Sequence, residues 1–233
     1  LARLSEEYAG YNAKPGDVVI IAAMPKVIGV MLLLESGMRR GEMLGLQWKN
    51  VDFERGSIYI CKQYANDKVL REPKSKNSRR HLYLSEDMMG ILAQWQPVEA
   101  EFFALRDVPF GPDAPVVCNE CCGFMDPNNF NRWFRDWCVK NGFGSYSDEI
   151  EEYYDAAGRK RVRKKGYKGL TPHMLRHTQA TLLIGASADI KTVQARLGHS
   201  SVNLTLNTYS HAIAANDKKA AETFRELIAK PSS

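Results

Sequence analysis

Two segments, "SIYICKQY" (57–64) and "RRHLYL" (79–84), alternate apolar with polar residues and are rich in β-formers. The polar, basic stretch "ANDKVLREPKSKNS" joins them, so they predict a two- or three-stranded antiparallel meander. Helical patterning flanks this meander on both sides. The chain is therefore expected to be mainly α (α+β), with one small sheet.

The apolar residues from Pro25 to Leu34 recur as in a buried helix that ends near Ser36-Gly37. A short helix, "MRRGEMLGL", follows and stops before "WKNVDFERG", which reads as a turn region. Ser85 is placed to cap a helix running to about Trp95, with a further helical piece through Phe102 to Leu105. "APVVCN" reads as a short strand or extended segment. Asp126-Pro127 opens another helix, whose Phe130, Trp133, Phe134 and Trp137 are expected in the core. Helices are then predicted over 172–185, 189–197, 201–208 and 213–229. The last of these carries Ile213, Ala220, Phe224, Leu227 and Ile228 on one side.

Between Gly142 and these helices, residues 148–168 hold five acids followed by seven bases around a central glycine. Two halves of opposite charge predict a solvated hairpin or insertion; a basic half that tracks a phosphate backbone is the sharper alternative. The 32 lysines and arginines against 27 acids give a net charge of +5, which tilts the chain towards polyanions without deciding the partner. The five cysteines form no regular framework and suit a reducing cytoplasm. "CNECC" (118–122) has neither a second cysteine pair nor a nearby histidine, so thiols are expected there, not zinc. The apolar run from Val18 to Leu34 is broken by Pro25 and Lys26 and is too short to span a bilayer. The chain opens at Leu1 with polar residues 1–17, which read as the end of a linker in a fragment of a longer protein.

The chemistry concentrates in "TPHMLRHTQATLL" (171–183). Thr171 can cap a helix and Pro172 suits its first position, while Leu175, Ala180, Leu182 and Leu183 supply apolar positions expected to be buried. His173 and Arg176 are three apart and project from one face of the first turn, where free N–H groups and the positive dipole end favour an anion. Four of the five histidines (His173, His177, His199 and His211) fall within 39 residues. His199 follows Gly198 at a helix end, and Tyr209, ten residues on, is the only tyrosine after Tyr167. Earlier, "ESGMRRGEMLGLQW" sets Arg39 and Glu42 at helical spacing.

Taken together, "SGMRRGE", "HMLRH", "LGHSS" and "NTYSH" resemble, in order and at compatible distances, the motif blocks of the tyrosine recombinases or phage-type integrases. The resemblance covers about residues 20–215. It implies a mainly α catalytic domain (18–215) with a small antiparallel sheet on one edge, a charged insertion at 144–168, and a C-terminal helix and tail (216–233) for contact between protomers. The anion is then a DNA phosphodiester. Arg39 and Arg176 would clamp its non-bridging oxygens, because a guanidinium bonds phosphate bidentately and keeps its charge. His199 would be a further donor, His173 a base, and Tyr209 the nucleophile of a metal-independent reaction that leaves a 3′-phosphotyrosyl link. The resemblance draws the acid for the leaving 5′ oxygen from the β-hairpin lysine Lys74, with Lys76 two residues along the same face as the rival. The pattern selects Arg39 over Arg40, and makes Glu42 a structural partner; His177 would support the helix and His211 lie outside the phosphate pocket. It further implies a separate N-terminal core-binding domain, a homotetramer acting on two double-stranded DNA duplexes in the bacterial cytoplasm, and no cofactor, metal or membrane. Departures are the length of the His199–Tyr209 interval, Gln179 in place of a frequent aromatic, and the insertion. A type IB topoisomerase, a non-catalytic helix-turn-helix protein and a degenerate accessory recombinase are the alternatives.

Overall fold

The computed structural model describes residues 18–73, 78–154, 158–164 and 166–198. Helix α1 (Val18–Ser36) begins more than a turn ahead of the expected start and runs through Pro25. Val27, Ile28, Val30, Met31, Leu32 and Leu33 are buried, which places this helix at the centre of the main core. It stops because Gly37 takes a left-handed conformation (φ 64°) and returns its N–H to the Leu33 carbonyl. The one-turn helix α2 (Arg40–Leu44) follows and buries Glu42, Met43 and Leu44.

The expected meander is present but divided. Strands β1 (Val51–Asp52), β2 (Ser57–Ile60) and β5 (Arg80–Tyr83) form one antiparallel sheet in that order, with β1 inside the stretch expected to be a turn. The "SIYICKQY" segment does not stay in one strand. After Ile60 it leaves the sheet, and β3 (Gln63–Tyr64) pairs with β4 (Leu70–Arg71) instead. Ile58, Ile60 and Leu82 face the core, while Tyr59 stacks on His81 across the outer face at 4.6 Å. "APVVCN" forms no strand: Pro115 makes an isolated bridge to Gln47, and Cys118 another to Phe124.

Helix α3 (Glu86–Ala104) corrects the expected break near Trp95. Pro97 removes one N–H, leaving the carbonyl of Ala93 without its helical donor, but both residues lie on the exposed side where water can bond it. The buried stripe Met88, Leu92, Trp95, Glu99, Phe102 and Phe103 therefore continues unbroken. The expected Ser85 cap is formed, with its hydroxyl accepting from the Met88 N–H at 3.2 Å. In α4 (Pro127–Lys140), capped by Asp126, Phe130 and Phe134 are fully buried and Trp133 and Trp137 pack partly buried against the core.

The acid-then-base stretch is a hairpin of β7 (Ile150–Tyr154) and β8 (Lys160–Lys164), based on a short pair between β6 (Gly144–Ser145) and β9 (Lys168–Gly169). Glu152 pairs with Lys160 at 2.7 Å. Helices α5 (Pro172–Gly185) and α6 (Ile190–Leu197) close the described fold, sharing a small core of Ala180, Ile184, Val193 and Leu197. Leu182, expected inside, is 67% exposed; Ile184 takes the buried place two residues on. The expected linker at 1–17, the helices at 201–208 and 213–229 and the tail lie outside the described residues. Among the described residues, no helix is long and apolar enough to cross a membrane.

Candidate active site

Thr171 caps α5 with its side chain, accepting from the Met174 N–H at 3.3 Å, and Pro172 takes the first helical position. This presents the α5 N-terminus to a cavity of about 310 Å³ lined by Met38, Arg39, Arg40, Gly41, Asn131, Thr171, Pro172, His173 and Arg176. Three predicted site residues, separated by up to 137 positions in sequence (39 to 176), thus line one cavity. Lys74, Lys76, His199, Tyr209 and His211 lie outside the described residues.

The α1–α2 junction positions Arg39. Glu42 accepts from the Arg39 backbone N–H at 2.9 Å and from its guanidinium at 2.8 Å, so the carboxylate fixes both the backbone and the side chain. Glu42 itself is 1% exposed. Burial alone would raise its pKa, but the charge and hydrogen bond of Arg80, then the Arg39 backbone and charge, hold it below the usual carboxylate value. Arg176 is 2% exposed and donates to the Gly37 carbonyl at 2.6 Å and the Leu197 carbonyl at 2.7 Å. His173 sits edge-on to His177, with ring centroids 4.5 Å apart. Partial burial and the positive charges of His177, Arg176 and Arg39 push its pKa below the ordinary histidine value, favouring the neutral ring that can accept a proton.

The carbonyl end of α6 is the meeting point of this site. Arg80 Nε donates to the Arg196 carbonyl at 2.7 Å, Arg176 to Leu197 at 2.7 Å and Arg39 to Gly198 at 3.3 Å. Helix ends leave such carbonyls without internal partners and carry partial negative charge, so three consecutive acceptors suit three guanidinium donors. Gly198 ends the helix in the left-handed conformation (φ 66°), and His199 is the next residue.

Sequence reasoning set Arg40 aside in favour of Arg39 and did not single out Asn131 or Arg80. Arg40 and Asn131 line the cavity, and Arg40 also donates to Asn66 at 3.0 Å. For Arg80 a signal existed: strand alternation puts it on the same face as Leu82, and a charge on a core face requires a partner. "CNECC" is not part of the cavity; Cys118 and Cys122 are buried and Cys121 exposed.

The architecture is that of tyrosine recombinase catalytic domains. The Tn1549 transposon integrase, solved in complex with transposon right end DNA, superposes with a TM-score of 0.61 and 25% identity over 91% of this chain and 61% of that one. XerA recombinase shares the fold at a TM-score of 0.55 and 20% identity, covering 96% of this chain and 68% of that one. The chain belongs to the phage integrase family, whose model matches residues 17–216. Among curated relatives, it is 25% identical over 85% of its length to a XerC-like tyrosine recombinase of Caldanaerobacter subterraneus subsp. tengcongensis, covering 48% of that protein. It is 26% identical over 83% of its length to the ICEBs1 integrase of Bacillus subtilis (46% of that protein), and 30% identical over 78% to an integrase/recombinase of Escherichia coli (53% of that protein). The chain spans about half the length of the curated relatives it matches.

Proposed function

We propose that the chain is the catalytic part of a site-specific DNA recombinase or integrase serving a mobile element. The observation that carries this reading is the cavity that gathers Arg39, His173 and Arg176 at the N-terminus of α5, inside a domain of the tyrosine recombinase type. Its substrate is double-stranded DNA, and the working form is a homotetramer on two duplexes in the cytoplasm. Arg39 and Arg176 balance charge on the non-bridging oxygens of the scissile phosphate, with His199 as a further donor. The Tyr209 hydroxyl, losing its proton to His173, attacks phosphorus. The bond to the 5′ oxygen breaks, Lys74 (or its rival Lys76) supplies the proton, and a 3′-phosphotyrosyl link and a free 5′ hydroxyl result. Attack by another 5′ hydroxyl reverses the step on a new strand, so neither metal nor nucleotide cofactor enters. The likeness to the ICEBs1 integrase and to the Tn1549 transposon integrase favours strand exchange over relaxation of a single duplex. Trapping the full protein on a cognate duplex nicked beside the cleavage site, followed by peptide mapping, tests the reading. A DNA adduct on Tyr209 is expected; an adduct elsewhere, or none, would overturn it.

A further inference from the structure

Arg80 is the one arginine of β5 on its core-facing side, about nine-tenths buried, at the end of the strand that follows residues 74–77. Its guanidinium makes four hydrogen bonds, to three residues. It bonds Glu42 through both carboxylate oxygens, at 3.0 and 3.3 Å. It also donates to the carbonyl of Ser78 at 2.9 Å and, through Nε, to that of Arg196 at 2.7 Å. Glu42 is thus shared between Arg80 and Arg39, a buried carboxylate between two guanidiniums. The charge count decides what this does. Two arginines and one carboxylate leave one positive charge, and Arg39, with its side chain 42% exposed, is the member that lines the cavity. Without Arg80, Glu42 and Arg39 would form a neutral pair, and an arginine so cancelled attracts a phosphate weakly.

We propose that Arg80 is a positioning residue for DNA cleavage: by holding Glu42 it keeps the charge of Arg39 directed at the phosphate, and by bonding the Arg196 and Ser78 carbonyls it ties β5 to the end of α6 that Arg39 and Arg176 also hold. This rests on the recombinase reading of the same cavity. Arg80 touches no substrate. Its effect passes through Glu42 and through two backbone carbonyls, so DNA affinity, dominated by many other phosphate contacts, changes little while the cleavage step slows.

The test is single-turnover cleavage of a nicked cognate duplex by the full protein, with DNA affinity and melting temperature measured in parallel. Arg80→Met is expected to slow cleavage on the order of 10- to 100-fold, the scale seen when a supporting partner of a reacting group is removed, with affinity within about threefold of wild type. The decisive variant is Glu42→Gln/Arg80→Met. Removing the carboxylate's charge releases Arg39 again, so the double variant should cleave faster than Arg80→Met alone. A purely structural role predicts the opposite, since the second change removes a further buried contact. Arg80→Met at the wild-type rate, or a double variant no faster than the single, overturns the proposal. If Arg80→Met does not fold, Arg80→Lys decides: it keeps the charge beside Glu42 and should retain more activity than Arg80→Gln, and equal activity of the two overturns the proposal. Wild-type protein that forms no covalent adduct refutes the recombinase reading itself, a result distinct from all of these.

Discussion

Trp48 donates its indole N–H to Glu99 across 2.6 Å, and both residues are buried, Glu99 completely. This joins α3 to the turn that precedes the three-stranded sheet. Burial raises the Glu99 pKa from 4.5 to about 8, against the opposing hydrogen bonds of Cys118 and Trp48, so the carboxyl is protonated in the fold at neutral pH. In the unfolded chain it ionises above about 4.5, so rising pH favours unfolding from there up to about 8, where the folded form also ionises. Glu99→Gln keeps the oxygen that accepts from Trp48 and cannot ionise. Its stability should equal wild type near pH 4.5 and pull ahead up to pH 8, by on the order of a few kcal/mol, read as a growing gap in melting temperature. Parallel melting curves across that range would refute the assignment.

Arg39→Ala and Arg176→Ala should both abolish cleavage on a suicide substrate, each losing a transition-state donor worth roughly 3 kcal/mol. Their stabilities should differ. Arg176 is buried and holds the Gly37 and Leu197 carbonyls, so its loss should also cost about 1–3 kcal/mol of folding free energy. Arg39 is half exposed, so its loss should lower the melting temperature less than the loss of Arg176. Cleavage at the wild-type rate by either variant removes that arginine from the phosphate clamp.

With His173 as the proposed base, its depressed pKa should place the acid limb of the cleavage profile below the ordinary histidine value of 6.5, because the ring stays neutral to lower pH. His173→Gln should be slow at every pH and should lack that limb. A limb retained unchanged in His173→Gln assigns it to another group.

Gly37→Ala should destabilise the fold by about 1–2 kcal/mol, the cost of a left-handed conformation with a Cβ. That Cβ would also stand 2.2 Å from the Gln179 side-chain oxygen, and Gln179 is held by the Glu35 carbonyl at 2.8 Å. Gln179→Ala should therefore relieve part of the loss in a double variant; purely additive melting shifts would exclude the contact.

Lys74→Ala should cleave an ordinary phosphodiester slowly and a 5′-bridging phosphorothiolate nearly as fast as wild type, since sulfur leaves without a proton. Arg176→Ala should stay impaired on both substrates. Rescue of Lys76→Ala in place of Lys74→Ala would reverse the assignment of the acid.

What the sequence revealed depended on how local the cause was. The caps at Ser85, Asp126 and Thr171 and the glycine stops at Gly37 and Gly198 are set within a few residues, and they were legible. The continuity of α3 was not, because the effect of Pro97 depends on which side of the helix meets water. The split of 57–64 into two sheets depends on which partner strand lies nearby, and alternation alone does not say. Of the site, Arg39, His173 and Arg176 could be named from motif residues. The sharing of Glu42 with Arg80 could not, because Arg80 lies 38 residues away and the two meet only when β5 is laid beside α2.

Three arginines from three separate elements hold the last turn of α6 by successive carbonyls. Such a junction behaves like a lock with three tumblers: it is seated only when β5, the start of α2 and the first turn of α5 arrive together. Defects in the three arginines should therefore be non-additive, since the first loss already frees the end that the other two would hold. The chain that continues from Gly198 into His199 then starts from a fixed point only in a protein whose distant parts have all folded.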